Sequence, residues 1–249
     1  MGLSLHYTLS LPADTPHEEV VHRLRDLHGR IAELPVTLPF PLADHGPGSG
    51  LRDEPVEERF WSEFHFPVTR ETWSSVGPLE LVAFLISLAR GAEPAFIALA
   101  KYPRTAVVDG RRIRIPGPRG RWFYRWACKT QYAAAPAAGG IENFLLAHLS
   151  LVAALDLARA SGIKVDVDDE GRYWASRDPT ILIRELHRLN HLVAVVAGKI
   201  SDRLGSEAVH APIKKRPDFE CLEAAATKFV RSEIADERVR KLIRRTARL

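Results

Sequence analysis

Cysteine is nearly absent from this chain of 249 residues, which contains only Cys128 and Cys221. Two cysteines are too few for a disulfide framework or for a zinc site built from thiolates, and their scarcity suits a reducing compartment. The sequence does not open with a basic segment followed by an apolar core, so no secretory signal is predicted. We therefore expect a cytoplasmic protein.

Long apolar runs are also missing. No window of about 18 residues is uninterruptedly apolar, and we predict that the chain has no membrane span. Hydrophobic residues make up 46% of the chain and charged residues 27%, which is typical of globular proteins and excludes disordered and fibrous classes. The length is sufficient for a sizeable core, and we expect residues 1–249 to form a single domain.

Acidic residues are missing from the segment 111–133, RRIRIPGPRGRWFYRWACKTQYA. Residues 101–129 carry 9 basic and 1 acidic side chains, whereas residues 1–100 carry 7 basic and 14 acidic ones. The net charge of +4 at pH 7 therefore hides opposed blocks, which can produce large local potentials. The blocks either neutralise one another within the fold or leave an open basic surface.

Alternating apolar and polar residues predict strands in the first half of the chain. LSLHYTLSL is typical of a half-buried strand, and residues 79–127 hold short runs typical of an antiparallel meander. The Asp-Gly pair in VVDGRRIRI predicts a type I′ hairpin. A helix is predicted from a cap at Asp14 or Thr15 to about Leu34, followed by a long irregular loop over the proline-rich residues 35–55.

Helical patterns dominate the second half. GGIENFLLAHLSLVAALDLARASG is apolar nearly all round and lies between glycines, which predicts a central helix. Another helix is predicted with Asp178 as its cap and Pro179 as its first residue, and a last one from about Asp218. IKVDVDDEGRYWAS predicts a second hairpin. The sequence thus predicts an α+β fold, in which a mostly antiparallel sheet from residues 1–127 is packed by the mainly helical residues 128–249.

The segment without acids combines guanidinium groups with aromatic rings. Arginine contacts phosphates through a bidentate fork, and aromatic faces stack on unpaired bases. We predict a binding surface for an anionic ligand, with nucleic acid favoured. In the alternative, the aromatic rings are core and the arginines form a solvated face, or pair with the acidic first hundred residues. The predicted surface comprises Arg111, Arg112, Arg114, Arg119, Arg121, Arg125, Lys129, Trp122, Phe123 and Tyr124.

A second hypothesis is an enzyme with a polar site just after the basic segment. Cys128 is a candidate nucleophile with His148 as its base, and Lys129 or a helix N-terminus would lower the pKa of the thiol. The alternative is that both side chains are buried in the core. Catalysis requires the candidates to converge in one concave pocket. They are Cys128, Lys129, Gln131, Tyr132, His148, Asp168 and Glu170.

No cofactor and no metal site are predicted. DVDDEGRYW begins like a calcium-binding loop at Asp166, but Arg177 stands at the twelfth place, where such a loop requires a bidentate glutamate. His187 and His191 have the spacing of paired metal ligands on a helix. The glutamate that metalloproteases place after the first histidine is Arg188 here.

The opposed charge blocks also allow a third hypothesis, a subunit without catalytic activity. In this hypothesis the acidic and basic blocks meet a partner protein or another copy of the same chain. Charge complementarity of this kind guides association. A subunit of this kind would need neither the aromatic rings nor the polar residues after Cys128.

The segments CKTQYA, GGIENFLLAHL, DEGRYW followed by RD, and LNHLVAVVAGKISDRLG resemble a group of uncharacterised bacterial proteins to which no activity is assigned. The resemblance covers residues 94–205 best. It implies a bacterial, cytoplasmic protein and supplies no catalytic residue. The motif residues present here are Lys129, Gln131, Tyr132, Gly139, Gly140, His148, Asp168, Glu170, Gly171 and Trp174.

Overall fold

The computed structural model describes residues 3–35, 38–47, 63–117 and 120–204, with side chains up to residue 198. The predicted helix from Asp218, together with Arg119 and Cys221, lies outside the described residues. The helices are α1 (His17–Ala32), α2 (Gly140–Ala160), α3 (Tyr173–Ser176) and α4 (Pro179–Leu204). The strands are β1 (Ser4–Leu11), β2 (Leu38–Pro39), β3 (Ala43–His45), β4 (Phe64–Pro67), β5 (Trp73–Val76), β6 (Glu80–Ser87), β7 (Ala95–Lys101), β8 (Thr105–Val108), β9 (Arg111–Arg114), β10 (Trp122–Lys129) and β11 (Lys164–Asp169).

Seven strands form one antiparallel sheet. Its order is β11-β1-β10-β7-β6, and the short strands β2 and β3 both pair with β6. The first strand lies between β10 and β11, with Tyr7 opposite Trp126 on one side and Val167 on the other. The α+β class is confirmed, and the predicted strand at the start of the chain is part of the sheet.

The sheet separates a large hydrophobic core from a smaller one. Alternation along β1 directs Leu5, Tyr7 and Leu9 into the large core, where α1 and α2 also bury their apolar residues. The small core lies on the opposite face of β6, β7 and β10, and it is covered in part by β4 and β5 through Phe64 and Val76. The helices therefore occupy one face, and much of the other face is open for charged residues.

The α2 helix runs through the large core as the sequence predicts. Gly139 precedes it and Gly162 follows it, both with a positive φ. Among the described residues it is the helix that is long and apolar enough to span a bilayer, and half of its apolar window is buried inside the fold. Central helices of globular cores meet the same test of length and composition, so this single helix is weak evidence for a membrane span.

The Asp-Gly hairpin forms at the predicted turn, but its two strands are not part of the main sheet. Asp109 and Gly110 have φ values of 51° and 75°, and a type I′ turn requires a positive φ at both positions. The β8 and β9 strands pair with each other as a separate two-stranded sheet. They thus form a ribbon inserted between β7 and β10, which are neighbours in the main sheet.

The predicted hairpin around Asp-Glu-Gly is wrong. One strand, β11, pairs with β1, and the chain then turns into the short helix α3. The side chain of Asp169 causes this turn by accepting hydrogen bonds from the backbone N–H of Gly171 and of Trp174, both at 2.8 Å. An aspartate can bind the amides that follow it and so compete with strand pairing.

Two other local predictions need correction. Helix α1 begins after Pro16 without a side-chain cap, because the N-cap position is held by Pro16, which has no side-chain acceptor. Thr15 is buried, and its carbonyl accepts a hydrogen bond from Trp122 Nε1 at 2.9 Å. Within the loop predicted over residues 35–55, the described part contains β2 and β3, which pair with β6. The cap predicted at Asp178 is confirmed, since its carboxylate accepts the N–H of Thr180 at 2.8 Å.

Candidate functional site

Five arginines of the basic segment are exposed, and we call them the arginine surface. None of the five forms an ion pair with a carboxylate among residues 3–35, 38–47, 63–117 and 120–204. The described part of the acidic N-terminal block therefore leaves them unneutralised. The members of the arginine surface are Arg111, Arg112, Arg114, Arg121 and Arg125.

Arg104 lies at the base of the ribbon, next to the chain that enters β10. There the backbone N–H of Ile115 donates to the carbonyl of Arg104 at 3.0 Å. The guanidinium of Arg104 lies against Gly120, the residue before Arg121. Arg104 is also exposed, and it was missing from the sequence prediction because it stands alone before β8. Its membership in the basic block 101–129 is the signal that identifies it.

The β10 half of the arginine surface has the predicted alternation. The guanidinium carbons of Arg121 and Arg125 lie 5.5 and 5.9 Å from the ring centre of Phe123, so these three side chains share one face of the strand. Arg125 Nε also donates to Thr8 Oγ1 at 3.4 Å. Cation–π contacts of this kind orient the guanidinium groups of these two exposed arginines.

The ribbon has one outward and one inward face. Ala106, Val108 and Ile113 are half-buried, whereas their neighbours on the other face are exposed. Arg112 lies opposite Val107, and Arg114 lies opposite Thr105. The outward face thus presents two guanidinium groups beside two small side chains.

The predicted stacking role of the aromatic residues is wrong. Trp122, Phe123 and Tyr124 are 0%, 6% and 4% exposed, so their rings cannot receive a base without unfolding of the strand. Burial also raises the pKa of the Tyr124 hydroxyl well above its ordinary value, and the neighbouring Tyr102 raises it further. The arrangement matches the alternative in which aromatic residues form the core and arginines remain at the surface.

Cys128 does not have the environment of a nucleophile. Its side chain is fully buried opposite Leu5, and its thiol donates to the carbonyl of Glu93 at 3.1 Å. Burial raises the pKa of the thiol to about 12, and the charge of Glu93 contributes to the rise. The prediction that Lys129 lowers the pKa of this thiol is therefore wrong. Lys129 Nζ lies 3.6 Å from Glu93 Oε1, so its charge is paired with that carboxylate.

The residues that follow Cys128 hold elements of the fold together. The side-chain carbonyl of Gln131 accepts the N–H of Leu3, and its amide donates to Asn190 Oδ1 at 2.6 Å. This side chain therefore links β1 to α4. Tyr132 is exposed, and Lys129 Nζ lies 5.9 Å from the centre of its ring.

A buried polar network surrounds His148. Its Nδ1 lies 3.0 Å from Thr130 Oγ1, and its Nε2 lies 3.3 Å from Asp169 Oδ2. All three side chains are nearly inaccessible, and Asp169 is 2% exposed. The order of carboxylate, imidazole and hydroxyl is that of a catalytic triad, but a hydroxyl sealed in the core cannot reach a substrate. The network therefore joins β10, α2 and β11.

Asp168 and Glu170 lie outside this network. Asp168 is exposed and pairs with His6 across the edge of the sheet. Glu170 accepts the backbone N–H of Ser4 at 2.7 Å and so extends the pairing of β11 with β1. The carboxylate that reaches His148 belongs to Asp169, because alternate residues of a strand point to opposite faces.

The enzymatic candidates do not converge in a concave pocket that the structure describes. An open groove of about 760 Å³ lies between the end of α1 and the first half of α2, and its walls are mostly apolar. Its lining residues include Leu34, Asn143, Leu145, Leu149 and Ser150. None of the seven candidates lines this groove.

His187 and His191 lie on α4, and the described residues bring no third histidine, cysteine or carboxylate ligand to them. His187 is exposed and His191 is half-buried. Burial lowers the pKa of His191, and the charge of His187 lowers it further. Among the residues that the structure describes, no three histidine, cysteine or carboxylate side chains are grouped to hold a metal ion.

Comparison with known proteins gives no relative for this chain. No protein-family model, curated protein or solved structure matches it. The resemblance of the 94–205 region to a bacterial group therefore stays a prediction, and the function is argued from the side chains alone.

Replacing Gly171 by alanine is expected to lower the free energy of unfolding by about 1 to 3 kcal/mol, because overpacking a filled core forces its side chains apart. An added Cβ would contact Leu182 Cδ1 closely and would lie 3.1 Å from Asp169 Oδ1 and 3.2 Å from His148 Cε1. Urea unfolding followed by circular dichroism measures the change.

Gly29 provides the matched control for this substitution. It lies inside α1, and nothing is within 4 Å of an added Cβ. Alanine there should stabilise the helix by up to about 1 kcal/mol. Equal effects at the two glycines would contradict the crowding around Gly171.

Proposed function

We propose that this protein binds nucleic acid through phosphate contacts made by the arginine surface. The observation that supports this proposal is that its five guanidinium groups are exposed and without a carboxylate partner in the described part of the chain. Elsewhere in the fold, Arg23, Arg159 and Arg177 each pair with a carboxylate. Arg25, Arg70 and Arg90 are also exposed without a carboxylate partner among the described residues, but they stand apart in the sequence, whereas the arginine surface groups five such cations within residues 111–125.

Guanidinium groups are suited to phosphate because their planar forks match two oxygens at once. A surface that neutralises several phosphates releases condensed counterions, which supplies most of the affinity for nucleic acid. The two cation–π contacts on Phe123 hold Arg121 and Arg125 in place. Less conformational entropy is then lost when these side chains bind.

The test is a comparison of two triple variants with the same change in net charge. One replaces Arg112, Arg114 and Arg121 by glutamine, and the other replaces the exposed Arg25, Arg90 and Arg184 by glutamine. The fluorescence anisotropy of a labelled 20-base-pair DNA is titrated with each protein between about 50 and 200 mM salt.

The variant of the arginine surface should bind about tenfold or more weakly at about 0.1 M salt, and its logarithmic salt slope should be smaller by up to about 2.7. The control triple should retain both values, because its arginines lie outside the surface. Wild-type protein that binds no DNA at 50 mM salt, or equal losses in the two triples, would contradict the proposal.

A further inference from the structure

We infer that the β8–β9 ribbon enters the major groove of duplex DNA, with Arg112 and Arg114 directed at the base edges. This inference rests on the proposed function and specifies its ligand. A two-stranded ribbon has its strands about 4.8 Å apart, and the major groove of B-DNA, about 12 Å wide, admits such a ribbon with its side chains. Because β8 and β9 pair only with each other within the described residues, the ribbon is free to insert.

The outward face of the ribbon carries the groups that read base edges. The guanidinium groups of Arg112 and Arg114 can each donate two hydrogen bonds to O6 and N7 of a guanine. Val107 lies beside Arg112 and is 70% exposed, so its methyl groups are accessible to a ligand. Its methyl groups, and that of Thr105, match the C5-methyl group of thymine.

The turn at the tip of the ribbon is also compatible with insertion into the major groove. Asp109 carries the one acidic side chain in residues 101–129, and a carboxylate there is repelled by phosphates. When the ribbon lies in the major groove, the Asp109 carboxylate faces base edges instead, and it can accept a hydrogen bond from the amino group of cytosine. Arg111 follows the turn, so it can reach a backbone phosphate beside the tip.

The rest of the arginine surface lies where the DNA backbone would pass. Arg121 and Arg125 lie over Phe123 at the start of β10, and Arg104 at the base of the ribbon lies beside Gly120, the residue before Arg121. Contacts to phosphates position a protein on the duplex, whereas contacts to bases specify the sequence. In this inference the ribbon contacts base edges and specifies the sequence, whereas Arg121 and Arg125 contact phosphates and position the protein on the duplex.

Burial of the aromatic residues favours a duplex over a single strand. Proteins that bind single strands without sequence preference stack bases on exposed aromatic rings. In this segment Trp122, Phe123 and Tyr124 are closed to solvent. Double-stranded RNA fits less well, because its major groove is too narrow and deep for side chains to read.

The experiment compares a 20-base-pair DNA duplex, its single strand and the RNA duplex of the same sequence by anisotropy. The wild-type protein should bind the DNA duplex about tenfold or more tightly than the other two. The pair Arg112→Gln and Arg114→Gln should remove this preference, and the pair Arg121→Gln and Arg125→Gln should weaken binding to all three ligands. Circular dichroism and thermal unfolding confirm that each variant is folded.

A substitution that leaves the net charge unchanged tests the apolar contacts in the groove separately from the electrostatic contacts. Val107→Ser should weaken duplex binding about threefold or more, without a change of the salt slope, because it removes methyl contacts only. The control is Leu38→Ser, which replaces an equally exposed apolar side chain on β2.

The outcomes distinguish the two proposals. Salt-dependent binding that is equal for the three ligands, or a preference for the DNA duplex that survives the loss of Arg112 and Arg114, overturns the groove inference and leaves the proposed function intact. Absence of salt-dependent binding to all three ligands overturns both.

Discussion

Replacing Asp169 by alanine should lower the free energy of unfolding by about 3 to 5 kcal/mol, which is the usual cost of removing one partner from a buried polar pair that includes a charged group. The carboxylate accepts hydrogen bonds from Gly171 N and Trp174 N and contacts His148 Nε2. Alanine would leave two amides and a buried imidazole without their acceptor.

Asp168 provides the control, since it is the same residue type one position earlier and its side chain is exposed. Asp168→Ala is expected to change the free energy of unfolding by less than about 0.5 kcal/mol. Urea unfolding at pH 7 measures both variants. Similar losses at the two positions would show that the network around His148 contributes nothing beyond a surface charge.

The same network predicts how stability depends on pH. Burial by itself raises the pKa of Asp169, but the hydrogen bond and charge of His148 and the amides of Trp174 and Gly171 outweigh this effect, and the pKa in the folded state is lowered. The stabilisation is therefore fully present above the ordinary aspartate pKa of about 3.9 and is lost as pH falls through the lower folded value. In Asp169→Asn the loss of stability below about pH 4 should be smaller.

Replacing Trp122 by alanine should lower the free energy of unfolding by about 3 to 5 kcal/mol, the range measured for large aromatic residues in cores. The indole is fully buried, and its N–H donates to the carbonyl of Thr15 at 2.9 Å. Lys101 Nζ lies 4.6 Å from the ring centre, and the imidazole of His17 lies 5.7 Å from it. The side chain thus connects β10 to β7 and to the start of α1.

Trp73 on β5 provides the control, because it is 66% exposed. Trp73→Ala should leave the free energy of unfolding within about 0.5 kcal/mol of wild type. Trp122→Phe separates the two contributions of Trp122, since phenylalanine retains apolar contacts and leaves the Thr15 carbonyl without its donor. A Trp122→Ala variant that is as stable as wild type but binds DNA weakly would instead indicate a stacking role.

Local sequence patterns predicted which segments form helices and strands better than they predicted which segments pair or pack with one another. The helices bounded by Gly139 and Gly162 and by Asp178 were recognisable, because caps and hydrophobic periodicity act within a few residues. The positive φ values at Asp109 and Gly110 followed from the same local chemistry. The hairpin expected after β11 failed, because the side chain of Asp169 binds two amides that no periodicity reveals.

The candidate site was predictable as a set of residues but not as an arrangement. Alternation correctly placed Arg112 beside Arg114, since the period of a strand is set by its backbone. It could not determine that Phe123 is buried under two arginines, because that depends on packing against strands far away in the chain. The different hydrogen-bond partners of Cys128 and His148 have the same origin.

The sequence by itself determined the α+β class, the boundaries of the central helices, the turn of the ribbon and the concentration of cations in residues 101–129. Only the tertiary structure decided which strands became neighbours, which of two adjacent aspartates entered the core and whether the described acidic residues neutralised the arginines. The physical reason is the range of the interactions. Propensity, capping and alternation act over a few residues, whereas burial and ion pairing depend on which distant segments meet.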